Sequence, residues 1–143
     1  MITEISIGTG TAILLIVVVQ LLSRFFSMKL LATTMLVAIA FIYTGFALKD
    51  NPVELTCLEI SFSVALYLMA IMGYRSNNAL IAWGIILHGA WDILHHNGLL
   101  VPTDVPEYWP SFCFIIDIID GLYFLIIFRL QKRKTSKQLG IPA

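Results

Sequence analysis

The chain has 143 residues, 59% of them hydrophobic and only 13% charged, with a mean hydropathy of +0.88. A water-soluble domain is nearer half apolar and a quarter charged, so the composition excludes an ordinary soluble domain and requires lipid around the chain. Zero net charge points to neither nucleic acid nor an acidic partner, and the length holds one domain, residues 1–143.

Five apolar stretches follow one another, 5–26, 28–48, 54–74, 79–98 and 111–130. Each is near the ~20 residues that cross a hydrocarbon core as a helix. The expected fold is therefore all-α, an integral membrane bundle of about five transmembrane helices. Arg24 and Lys29 bracket the short gap between the first two stretches, which reads as a tight hairpin. The other breaks carry turn chemistry: Lys49-Asp50-Asn51-Pro52, Arg75-Ser76-Asn77-Asn78, and a longer segment with Pro102, Pro106 and Pro110. The first stretch lacks the basic flank and small-residue cleavage site of a secretory signal and is expected to be retained.

Charge placement orients the bundle. Arg24, Lys29, Arg75, Arg129, Lys132, Arg133, Lys134 and Lys137 fall on one side and Lys49 alone on the other, eight against one. The side rich in Lys and Arg faces the cytoplasm, which puts the N-terminus outside and the C-terminus inside, in a multi-pass protein of the cell membrane. The basic tail, 131–143, reads as a stop-transfer anchor drawn to anionic headgroups. Tyr108 and Trp109 read as members of an interfacial aromatic belt.

The candidate site is the set of ionisable residues inside the spans. Glu59 lies in the third, His88, Asp92, His95 and His96 in the fourth, and Asp117 and Asp120 in the fifth. An Asp at a helix centre costs about 2.5–3.5 kcal/mol on the insertion scale, so such residues mark function by default. At ~1.5 Å rise per residue, Glu59, Asp92 and Asp117 all sit about 8–9 Å below the outer boundary. His88 and Asp120 come near mid-membrane, and His95 and His96 close to the outer surface. His88, Asp92 and His95 share one helical stripe, with His96 beside it, and Asp117 and Asp120 form an i, i+3 pair.

Four carboxylates thus lie in apolar spans that contain no Lys or Arg, and each must hold a proton or sit beside a cation. His-plus-carboxylate sets are what Zn, Mn and Fe sites are built from. Three chemistries fit, beside a purely structural polar network that holds the bundle together. In a metal-dependent, hydrolase-like enzyme, His88, Asp92, His95, His96 and Asp117 hold a divalent metal such as Zn, and Glu59 or Asp120 acts as general base on a lipid or other amphiphile. In a metal-free isomerase or cyclase, the carboxylic acids do the proton transfers. In a metal-ion or proton transporter the same residues form a relay. Membrane lipids and an amphiphilic small molecule are the expected partners, and the first two helices serve as lipid-facing scaffold or as a homodimer contact. Cys57 and Cys113 both fall near the outer boundary, either as a bridge or as two buried thiols.

The string His88-Gly-Ala-Trp91-Asp92-Ile-Leu-His95-His96 resembles the H-x-G/A-W-D-x-x-H-H segment of a family of short bacterial multi-pass membrane proteins of unknown function. Glu59-Ile-Ser-Phe62-Ser63 and Cys113-Phe-Ile-Ile-Asp117 resemble two further segments of that family, E-x-x-F-S/T and C-x-x-x-D. The family often carries a second Cys where this chain has Ile116. The resemblance covers roughly 54–125, singles out the residues that the depth argument singles out, and implies no activity. The His88/Asp92 spacing is also similar to the H-x-x-x-E pair of the sterol-isomerase and sigma-2-receptor group, whose remaining pattern is absent.

A reporter fused after Ala143 is expected to read as cytoplasmic and one inserted at Asp104 as external. The opposite readings would refute the charge-based orientation.

Overall fold

The structure, a computed structural model, describes residues 2–139; the last residues of the basic tail, 140–143, lie outside the described part. Six α-helices account for most of it: α1 Ile2–Leu22, α2 Met28–Ala40, α3 Ile42–Asp50, α4 Val53–Arg75, α5 Asn78–His95 and α6 Trp109–Leu139. A 3-10 turn, His96–Gly98, follows α5. Four apolar helical segments are long enough to cross a membrane: Thr3–Leu22, Met28–Lys49, Val53–Arg75 and Trp109–Gln138. The 18-residue α5 is not among them, because His88, Asp92 and His95 interrupt its apolar run; it fills the middle of the bundle instead. The chain is an all-α membrane bundle.

The helix ends follow local chemistry. Ser27 caps α2, its side chain accepting from the Leu30 amide at 3.2 Å, and Asn77 caps α5 by accepting from the Ala79 amide at 3.1 Å. The hairpin between the first two spans is as short as expected, α1 ending at Leu22 and α2 starting at Met28. Gly98, with φ 64°, supplies the left-handed backbone that turns the chain out of the 3-10 segment. Helix α6 runs past the expected end at 130, carrying the basic tail as helix to Leu139.

One span differs from its expected form. The second stretch is two helices, broken at Phe41 with no Pro or Gly there to explain it. The cause comes from α4: the Ser63 hydroxyl donates to the Ala40 carbonyl oxygen and pairs with the Thr44 hydroxyl at 2.7 Å. A side chain that captures a carbonyl from the i→i−4 ladder is a recognised origin of helix kinks.

The helices alternate in direction around α5. Ala47 and Ala40 meet Thr56 and Ser63 across α3/α2 and α4, and Gly73 meets Ile81 across α4 and α5. Gly121 meets Ala82 and Ile86, and Gly89 meets Asp117, across α5 and α6. Helix α1 lies parallel to α6, with Gly8 against Phe112 and Ile115 and Gln20 bonded to Tyr123. Lys29 sits 4.8 Å above the Tyr74 ring, which places the α1–α2 hairpin and the end of α4 at the same end of the bundle.

The core has two levels. Around the inner half of α5 it is wholly apolar, built from Leu36, Leu66, Ile81, Ile85, Phe124 and Phe128. Around the outer half the buried residues include Glu59, His88, Asp92, His95, Thr103, Asp117 and Asp120 beside apolar ones such as Tyr43, Ala47, Cys113 and Ile116. The outward faces are apolar, as with Leu14 and Val17 on α1, Leu68 and Met72 on α4 and Ile126 on α6, and suit contact with lipid tails. Cys57 is exposed and Cys113 buried, and the two are free thiols.

Close approach of α5 and α6 depends on Gly121, where a Cβ would come within 2.5 Å of Ile86 Cγ1 and 3.2 Å of the Ala82 carbonyl oxygen. Thermal unfolding should show Gly121→Val losing about 1–3 kcal/mol through overpacking. Gly10→Ala, at a position with nothing within 4 Å, should be neutral. Equal behaviour of the two variants would contradict this packing.

Candidate functional site

The expected stripe on α5 is present, and its members face different neighbours. His88, Asp92 and His95 are all buried, continuing the line of Ile81 and Ile85. His88 and Asp92 meet α6, and His95 meets α4. The stripe therefore divides into two clusters rather than one shell.

The first cluster is His88, Asp92 and Asp117, each offering a potential ligand atom within 4.8 Å of the others. His88 Nδ1 lies 2.6 Å from Asp117 Oδ2 and 4.0 Å from Asp92 Oδ1. Tyr43, brought inward by α3, donates its hydroxyl to Asp92 Oδ1 at 2.7 Å. Four atoms in and beside the cluster are buried without a partner in the structure: His88 Nε2, Asp92 Oδ2 and both carboxylate oxygens of Asp120. Buried polar groups are ordinarily bonded, so unpartnered atoms at one site mark a place for a further group.

The second cluster is centred on Glu59. Its carboxylate receives Trp91 Nε1 at 3.1 Å, the Thr103 hydroxyl, and His95 Nε2 at 2.7 Å. His95 Nδ1 faces the Trp91 carbonyl oxygen at 3.0 Å, an acceptor, so Nδ1 carries a hydrogen. One proton then serves the Nε2–Oε1 bond, and the Glu59–His95 pair is neutral as a unit. Tyr43 joins the clusters: its ring stacks on His95 with centroids 3.8 Å apart, while its hydroxyl holds Asp92.

The clusters differ in charge balance. Glu59 has its histidine and two further donors, Trp91 and Thr103. Asp92, Asp117 and Asp120 share one imidazole, and among the described residues no Lys or Arg is buried. That excess of negative charge has to be met by protons or by a cation.

His96, expected among the ligands, stands apart from both clusters. Its Nδ1 pairs with the Ser111 hydroxyl at 3.1 Å, and it lines a groove of about 400 Å³ with Asp92, Ile5, Ile93, Phe114 and Ile115. The groove lies between α1, α5 and α6, is otherwise apolar, and reaches Asp92 from the side. The structure thus brings together His88, Asp92 and Asp117, pairs His95 with Glu59, sets Asp120 alongside, and leaves His96 at the groove. Tyr43 and Thr103 join the site with no mark in the sequence: Tyr43 lies on α3, remote from the motif, and Thr103 in the loop that follows it. Trp91, part of the motif on α5, is a donor to Glu59 that also stacks on Phe62.

A family model described as a family of unknown function, DUF6010, matches residues 3–130. The chain belongs to this family. The match takes in α1 through most of α6, well beyond the 54–125 region of the motif resemblance. No curated protein and no solved structure matches the chain.

Tyr43→Phe keeps the ring on His95 and removes the donor to Asp92. It should cost about 1–3 kcal/mol in thermal unfolding, the range for stranding a buried acceptor. No loss would show that the Tyr43–Asp92 bond contributes nothing.

Proposed function

We propose that this protein is a multi-pass enzyme of the cytoplasmic membrane that uses a divalent metal at His88, Asp92 and Asp117 to act on an amphiphile bound in the lateral groove. The observation carrying this reading is the uncompensated carboxylate group next to an apolar groove: ligand atoms within 4.8 Å of one another, and Asp92 in both. Neutral imidazole with carboxylates suits Zn best among common metals, with Mn and Fe also served. A metal there supplies Lewis acidity toward a carbonyl and a reactive water at neutral pH, which makes hydrolysis the reaction class of choice.

The chain's own residues divide the remaining work. His88, Asp92 and Asp117 would hold the metal, and because imidazole and carboxylate would have to be deprotonated to do so, binding would weaken as pH falls. Tyr43 orients Asp92 through its hydroxyl. Asp120, with two unpartnered oxygens, is the proton acceptor. Glu59 is held by three donors beneath the external loop and acts as a positioning residue, through His95 and the stacked Tyr43 ring. Transport is the weaker reading, because the inner half of the described core has no ionisable side chain to extend a path.

The test is thermal unfolding in detergent of wild type and Asp92→Asn, with and without chelator. Chelator should lower the wild-type midpoint by several degrees, zinc should restore it, and the variant should be insensitive to both. A wild type indifferent to chelator, with Asp92→Asn at least as stable, would refute the metal and favour proton chemistry by the same acids.

A further inference from the structure

The groove has a chemistry of its own, and it narrows the class of molecule that fits. Its lining is Ile5, Ile93, Leu99, Pro110, Phe114 and Ile115, with Asp92, His96 and Ser111 as the polar members. At about 400 Å³ it lies low in the roughly 300–1,000 Å³ range of small-molecule sites, which is room for one chain rather than two. Ile93 and Leu99 are exposed at its edge, so a chain enters from the lipid side without crossing a polar surface.

Charge decides the polar end. No Lys or Arg lines the groove, and Asp92 stands in its wall with Asp117 and Asp120 close behind on α6. Whatever protons or metal the three carboxylates hold is neutralised by them, so no free cationic group is left in the groove lining to receive an anionic headgroup. Low dielectric raises the cost of bringing in a second anion. The His96–Ser111 pair, 3.1 Å apart and open to the groove, offers a neutral donor and acceptor in their place. Asp92 Oδ2, unpartnered in the structure, accepts from a donor when Asp92 is ionised.

We infer that the groove binds a neutral single-chain amphiphile bearing a hydroxyl, such as a long-chain alcohol or a monoacyl ester with a free hydroxyl, its polar end at His96, Ser111 and Asp92, and that it excludes carboxylate and phosphate headgroups. The inference rests on the enzyme reading only in taking the groove as the substrate's seat; it holds with or without the metal.

The test uses the purified full chain in phosphatidylcholine nanodiscs and photoactivatable analogues of a long-chain saturated alcohol, and of the carboxylate and phosphate monoester of the same chain. Cross-linked residues are mapped by mass spectrometry, with and without chelator. The alcohol should label Ile93, Phe114 and Ile115, with the two anions weaker by about tenfold or more. Labelling should persist in chelator, so that loss of the metal reading leaves this result standing. Ile93→Trp, which fills the groove, should abolish it, and Leu99→Trp, at the more exposed edge, gives a second occluding variant should the first not fold. Equal labelling by an anion, labelling outside the groove, or labelling that survives a folded occluding variant would each overturn the inference.

Discussion

Asp92 carries no formal partner strong enough to offset its charge, yet it is fully buried in an apolar bundle. Tyr43 gives it one hydrogen bond, His88 stands 4.0 Å away already engaged with Asp117, and its second oxygen is open. Everything around it is arranged to hold this carboxylate still. The Ser63 hydroxyl breaks the second span at Phe41, and the break lets α3 deliver Tyr43. Gly89 lets α6 bring Asp117 alongside, since a Cβ there would stand 3.1 Å from that of Asp117. Buried ionic groups of this kind cost folding energy and are retained for what they do.

The outer half of the bundle is organised around that cost. The loop between α5 and α6 folds back onto it: Thr103 donates to Glu59, and the Asp104 amide donates to Asn51 Oδ1 at 3.0 Å, tying the loop to the α3–α4 connection. Glu59 and His95 neutralise each other, so the outer cluster is self-sufficient and acts as a rigid wall. The inner cluster is left with the unmet charge and with the groove at its side. The apolar inner half supplies the stability that such an arrangement consumes, through packed side chains such as Leu36, Leu66, Ile85 and Phe124.

Composition and the apolar stretches made the membrane class and the helix order legible, and periodicity made the α5 stripe legible, because both are one-dimensional signals. Depth was legible too: Glu59, Asp92 and Asp117 all lie in the polar level. Azimuth was not. A rise per residue says nothing about which neighbour a side chain faces, so Glu59, level with Asp92 and Asp117, reads as a general base at their site when the structure bonds it to His95. The break at Phe41 was hidden because its cause, Ser63, lies 22 residues away and no local residue signals it. Tyr43 and Thr103 were hidden for the same reason: their roles exist only once three helices and a loop are assembled.

The central claim is that a bound cation, and not a set of protons, meets the charge of His88, Asp92 and Asp117. The most direct measurement is the metal content of protein purified without chelator, by elemental analysis of wild type beside His88→Ala. The account predicts about one divalent ion per wild-type chain and essentially none in the variant. A wild type free of stoichiometric metal, or a variant that keeps it, would contradict the account.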